Sequence, residues 1–179
     1  TERGVARSGG KLLPALELPG YEMPEHPVGK GAPFVAVAAL EQLARWSGNA
    51  AAVAEMTRKS QAGASAVRCW PHHFDLATLI ALDPEGGDTE KARTIGVGLS
   101  PGDGHYDEPY FYVTPWPAPD TSYLPELDAY GIWHTEGWVG AVLPAGRLVE
   151  LSSAPDPVDR VRAFVDAARF AAGMLLLQD

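Results

Sequence analysis

A chain of 179 residues with 46% hydrophobic and 21% charged side chains can bury one sizeable core and reads as a single globular domain. A net charge of −9 argues against nucleic acid and anionic membrane as main partners, since both are polyanions. One cysteine excludes an internal disulfide and a cysteine-built zinc ribbon, and no apolar run approaches the roughly 20 residues of a membrane span, so a cytoplasmic protein is expected.

The chain opens on Thr1 rather than Met. An N-terminal threonine can be a nucleophile with its own amine as base. Here Glu2, Arg3 and a Ser-Gly-Gly stretch follow instead of a burying apolar strand, so further residues are expected upstream. Arg outnumbers Lys ten to four, and Ala, Gly and Pro are abundant, which suits a GC-rich bacterial genome.

Residues 1–33 hold Pro14, Pro19, Pro24, Pro27 and Pro33 with no sustained periodicity, and read as an extended arm. A single α+β domain is expected over 34–179. Its first helix should run from Phe34 to Arg58, with Val37, Leu40, Ala44, Ser47, Ala51 and Ala54 as the inward stripe, widened by Leu43 and Trp46. Gly48 interrupts it where close packing would be useful.

The stretch from Ala66 to Leu82 reads as a central strand covered on both faces, with His73, Asp75, Ala77, Leu79 and Ala81 on one side. A second strand is expected over Arg93 to Leu99, where Gly96 and Gly98 leave a flat surface for close approach. A polar Gly-rich loop, residues 100–108, leads to a third strand, Tyr110 to Trp116. A fourth is expected over Ile132 to Leu143, putting Ile132, His134, Glu136 and Trp138 on one face. A short fifth follows at Arg147 to Leu151. Asp156, Pro157 and Asp159 mark the start of a final helix carrying Val158, Val161, Val165, Ala168, Ala172 and Leu175. The order predicts an antiparallel, meander-like sheet of four or five strands with two long helices on one face.

Trp70 ahead of Phe74-Asp75-Leu76-Ala77, a Gly-rich strand, a Pro-Gly loop, Tyr110-Phe111-Tyr112 closing on Pro115-Trp116-Pro117, and a Pro-capped last helix form a distinctive series. Over residues 65–175 it resembles the C-terminal half of a bacterial family of unknown function with a Phe-Trp-Gly-Ser-Phe-Asp-Leu-Ala signature. The resemblance implies that Asp75 belongs to a shared scaffold. It also implies that His72 and His73, standing in place of Gly-Ser, are particular to a subgroup, and that members are longer at the N-terminus. It carries no activity with it.

Three chemistries fit the polar residues. Imidazole and carboxylate ligate first-row metals, so His72, His73, Asp75, His105 and His134 form a candidate set for zinc, iron or manganese, with an open position to activate water. Without metal, Asp75 could orient His73, with His134 or Glu136 as the opposing acid–base group. Alternatively the histidines are structural, and Trp70, Tyr110, Tyr112, Trp116, Trp133 and Trp138 line an apolar pocket or fill the core. Cys69 is near in sequence to both histidines, but a strand turns adjacent residues apart. The loop residues Asp103, Asp107 and Glu108 would repel phosphate and favour a cation. The expectation is therefore a small hydrolase, metal-assisted or not. The alternative is a non-catalytic ligand-binding or assembly module, with a small-molecule ligand and self-association both open.

Overall fold

The computed structural model describes residues 38–70, 73–83, 92–127, 130–150 and 156–177. The arm expected over 1–33 and the helix start at Phe34 lie outside them. Residues Gln42–Asp179 form one compact unit. In chain order the elements are α1 (Ala38–Ser60), β1 (Arg68–Trp70), β2 (Asp75–Ala81), β3 (Thr94–Ser100) and β4 (Tyr110–Trp116). A 3-10 turn (Thr121–Tyr123) precedes β5 (Ile132–His134), β6 (Gly140–Pro144), α2 (Ala145–Glu150) and α3 (Pro157–Leu176). The class is α+β, as expected.

The sheet has six antiparallel strands in the order β1-β2-β3-β4-β6-β5, more than the four or five expected. Two expected single strands are in fact hairpins. The first breaks into β1 and β2 after Trp70, at a turn in which Phe74 takes a left-handed φ of 60°. The second breaks into β5 and β6 across 135–139, where Gly137 has φ 80°. Both segments look continuous because alternating apolar residues flank each turn, although Pro71 and Gly137 stand within them as local breaks. The meander ends at β4, since β6 inserts between β4 and β5. The strand expected at Arg147 is instead part of the helix α2. Its first turn is held from a distance: Gly146 N–H donates to Glu108 Oε2 at 2.5 Å, and Ala145 N–H to the Pro109 carbonyl.

Alternation along the strands sends Leu76, Ile80, Ile95, Val97, Leu99, Phe111, Val113, Ala141 and Leu143 to one face. There they pack with Ala50 and Val53 of α1 and with Val161, Phe164, Val165, Ala168 and Ala172 of α3. The buried stripe of α1 is Ala50, Val53, Ala54 and Thr57, with Trp46 packed against the core; Ala54 and Trp46 are as expected, while the expected Leu40 and Ala44 are exposed. Gly48 faces open space rather than a close neighbour. The stripe of α3 is as expected except for Val158, which is exposed. Asp156 caps α3, accepting from Val158 N–H at 2.8 Å, with Pro157 in the first turn. Replacing this cap, Asp156→Ala, should cost about 1 kcal/mol in urea unfolding.

The opposite face carries no helix among the described residues. Leu79 and Ala81 are exposed on it, so β2 is covered on one side only, not both. Pairing places Trp70, Asp75, Ala77, Gly96, Gly98, Ser100, Tyr110, Tyr112, Val142 and His134 on this open face.

Candidate functional site on the open face of the sheet

Two alternate glycines on β3 set the local geometry. Gly98 pairs with Ala77 on one side and Tyr112 on the other. With no side chain there, the Tyr112 ring lies across β3, so close that a β-carbon on Gly98 would sit 2.9 Å from its Cζ. The Tyr112 hydroxyl and that of Ser100 thereby act on Asp75, at the start of β2. Burial pushes the Asp75 carboxyl above the usual carboxylate range. Those two hydroxyls and the neighbouring His73 pull the other way without reversing it, and the charge of Asp103 adds to the rise. Its Oδ1 is buried with no hydrogen-bond partner among the described residues. Burial likewise pushes the Tyr112 phenol up, reinforced by the Asp75 charge, so this hydroxyl keeps its proton. A buried carboxyl that resists ionisation beside polar hydroxyls can hold a proton and deliver it.

Beside Asp75 a second carboxylate is driven the opposite way. Asp103 Oδ1 accepts from the backbone N–H groups of His105 (2.8 Å) and Tyr106 (3.0 Å), and Oδ2 accepts from the Tyr110 hydroxyl at 2.7 Å. Burial alone would raise its pKa. The hydrogen bonds from Tyr110, His105 and Tyr106 outweigh it and hold the carboxyl below its ordinary value. The loop closes on itself, with Asp103 N–H donating to the Tyr106 carbonyl at 2.8 Å and Gly102 at φ 122°, a conformation glycine adopts without strain. Tyr110 is pushed up by burial and by Asp103, and feels Asp75 as well, linking the two carboxylates.

The aromatic wall continues from Tyr110. Tyr106 packs on Tyr110 with ring centroids 4.8 Å apart, and Trp138 stacks on it at 6.4 Å. Trp138 lies over Gly140, where a β-carbon would come within 2.6 Å of the indole. His134, buried, sits 4.3 Å from Trp138 and 4.8 Å from His105 between ring centroids. His134 Nε2 lies 2.7 Å from the Glu136 carbonyl, which can only accept, so Nε2 carries hydrogen. In the neutral ring Nδ1 is then the acceptor, and the Tyr106 hydroxyl donates to it at 3.1 Å.

The expected site residues thus fall into two groups. His73 and Asp75 are neighbours at the β1–β2 turn, and His105 and His134 are neighbours at the other end of the face. Four strand spacings, roughly 19 Å of backbone, separate β2 from β5. Among the described residues no three His, Cys, Asp or Glu are grouped so as to hold a metal ion. His72 lies outside the described residues. Glu136 contributes its backbone carbonyl, and its side chain is exposed. Cys69 is exposed on the far side of β1 from Asp75, its Sγ 3.8 Å from the Phe74 carbonyl. Ser100 and Tyr106 had no distinguishing signal in the sequence. Tyr112 had one, the glycines at alternate positions of the preceding strand. No known protein family, curated protein or solved structure matches this chain.

Proposed function

We propose that the open face is a proton-transfer site for a small neutral substrate, with Asp75 as the acid, and that the protein is a small hydrolase. The observation that carries this reading is the opposed displacement of two neighbouring carboxyls, Asp75 upward by burial and Asp103 downward by its hydrogen bonds. In the proposed step Asp75 gives its proton to the leaving-group oxygen as the bond to it breaks. Water adds to the carbon left behind, its proton passes to His73, and that proton then returns to Asp75. Tyr112 and Ser100 orient the carboxyl, and the ionised Asp103 keeps Tyr110 aimed inward. A metal-assisted form would require an ionised Asp75 and further ligands beside His73 and Asp75, and none is grouped with them among the described residues. Elemental analysis of untagged protein before and after chelation separates the two forms.

A second reading, a binding module without turnover, is favoured by the exposed aromatics Trp70 (45%), Phe74 (72%) and Trp116 (56%) around the same face. A panel of p-nitrophenyl esters and glycosides, assayed against pH, decides between them. The hydrolase reading expects turnover of at least one probe, falling as pH rises through the Asp75 pKa and reduced about 100-fold or more in Asp75→Asn. Turnover that survives Asp75→Asn removes Asp75 from the role. No turnover, with saturable shifts of the Tyr112 and Trp138 resonances by the same probes, establishes the binding module instead.

A further inference from the structure

The helix α3 is apolar on two sides. One side fills the core against the sheet. Its charged residues, Asp159 to Arg169, all precede Phe170, and from Phe170 to Leu177 no side chain is charged or hydrogen-bonding. A helix end that is apolar all round calls for cover on every side. Here the outer side has none among the described residues: Phe170 is 73% exposed and Leu177 71%, with Met174 at 44% between them.

The outward residues are regularly spaced. Ala163, Ala167, Phe170, Met174 and Leu177 recur at steps of four, three, four and three, the repeat by which one helix lines up against another. Beside this seam lies a groove of about 320 Å³, walled by Tyr123 and Pro125 of the connection between β4 and β5 and by Ala167 and Ala171. Phe170 both lines the groove and projects into solvent. A projecting ring next to a hollow on the same surface is what a two-fold contact requires, because each copy then gives one ring and receives one.

Area and charge favour the same occupant. An aromatic side chain presents about 200 Å², so Phe170 and the 86% exposed Tyr123 together offer roughly 300 Å². Met174, Leu177 and the two alanines of the seam bring the patch to roughly 600 Å², the upper end for a monomer. Two copies then cover roughly 1,200 Å², the lower bound for a specific contact. The one charged residue lining the groove is Glu126, whereas an anionic lipid surface would call for lysine or arginine there.

We propose that α3 is the interface of a homodimer, two copies packing seam to seam about a two-fold axis, with Phe170 of each seated in the groove of the other. The contact lies on the helix side of the sheet, away from Asp75, and does not depend on the hydrolase reading.

Sedimentation velocity of the full chain across the micromolar range tests it. Wild type should pass from the 19.1 kDa monomer to twice that mass, with half-conversion on the order of 10 µM. Each copy carries a charge of −9 and the contact holds no ion pair, so added salt should tighten it. Phe170→Lys should raise the dissociation constant at least thirtyfold. Its urea unfolding should match the wild-type monomer, since the ring is exposed and lysine suits a helix. Met174→Lys repeats the test at a second exposed position. Isotope-filtered Overhauser spectra of mixed labelled and unlabelled protein should join the Phe170 ring of one copy to Tyr123 of the other. A wild type that stays monomeric, a dimer that survives both variants, Phe170 contacts to residues 1–33 of its own chain, or capture by neutral phosphatidylcholine vesicles in place of dimerisation would each overturn the proposal.

Discussion

Gly98→Ala should destabilise the protein by about 3 kcal/mol, the reverse of the usual gain when glycine is replaced within regular structure. The added β-carbon would meet Ala77 Cβ at 2.6 Å, the Leu76 carbonyl oxygen at 2.8 Å and Tyr112 Cζ at 2.9 Å. The first two belong to the paired β2 strand and cannot retreat without breaking its register with β3. Only Tyr112 can swing, and in doing so it leaves Asp75. Urea unfolding gives the energetic loss. The Asp75 side-chain carbon resonance should then titrate still higher than in the wild type, because a hydroxyl that favours the carboxylate has been withdrawn. Gly48→Ala is the matched control. It sits within α1 with nothing within 4 Å of the new carbon, and should stabilise by about 1 kcal/mol. Equal effects at the two positions would mean that Tyr112 is not seated on Gly98.

Asp103→Ala should cost about 2 kcal/mol at pH 7, because one carboxylate holds three donors and organises the loop between β3 and β4. The pH dependence has a definite sign. The folded-state pKa of Asp103 is lowered, so its stabilisation is present above the ordinary value of 3.8 and is lost as pH falls through the folded value. The difference between wild type and Asp103→Ala should therefore shrink as the solution is acidified below pH 3.8. Asp75 runs the other way. Its folded pKa is raised, so the folded state loses stability as pH climbs from 3.8 through the folded value, and Asp75→Asn should abolish that decline. Urea unfolding of the three proteins at acid and neutral pH reads both slopes. A constant Asp103→Ala difference at all pH values would show that its hydrogen bonds do not depend on ionisation.

What was readable in the sequence is what nearest neighbours decide. The start of α3 was legible because Asp156 and Pro157 act on backbone groups within one turn. β3 and β4 were legible because Ile95, Val97, Leu99 and Phe111, Val113 alternate inward without a break. The helix α2 was not, since it is six residues long and its first turn is held by Glu108, 38 positions earlier. The insertion of β6 between β4 and β5 has no local signal, because either strand carries apolar residues that could pair with β4. The site divided along the same line. Asp75 beside His73 could be named from adjacency alone. That Tyr112 would cross Gly98 to reach the carboxyl depends on the pairing of three strands. The expected joining of His134 to Asp75 required them to be neighbours, and the strand order puts three strands between those that carry them.

The outermost strands of this sheet are also its shortest, three residues each at β1 and β5. The long inner strand β2 would otherwise offer its outer backbone groups to a passing chain. Instead β1 pairs with Asp75, Leu76 and Ala77, and the chain before it pairs with the rest, Ser65 N–H donating to the Leu79 carbonyl and Ala81 N–H to that of Gly63. At the far side β5 does the same for β6. Each rim therefore presents too few unpaired groups to template a growing ribbon. The open face can thus display Trp70, Phe74 and Trp116 with little tendency toward cross-strand aggregation through the sheet edges.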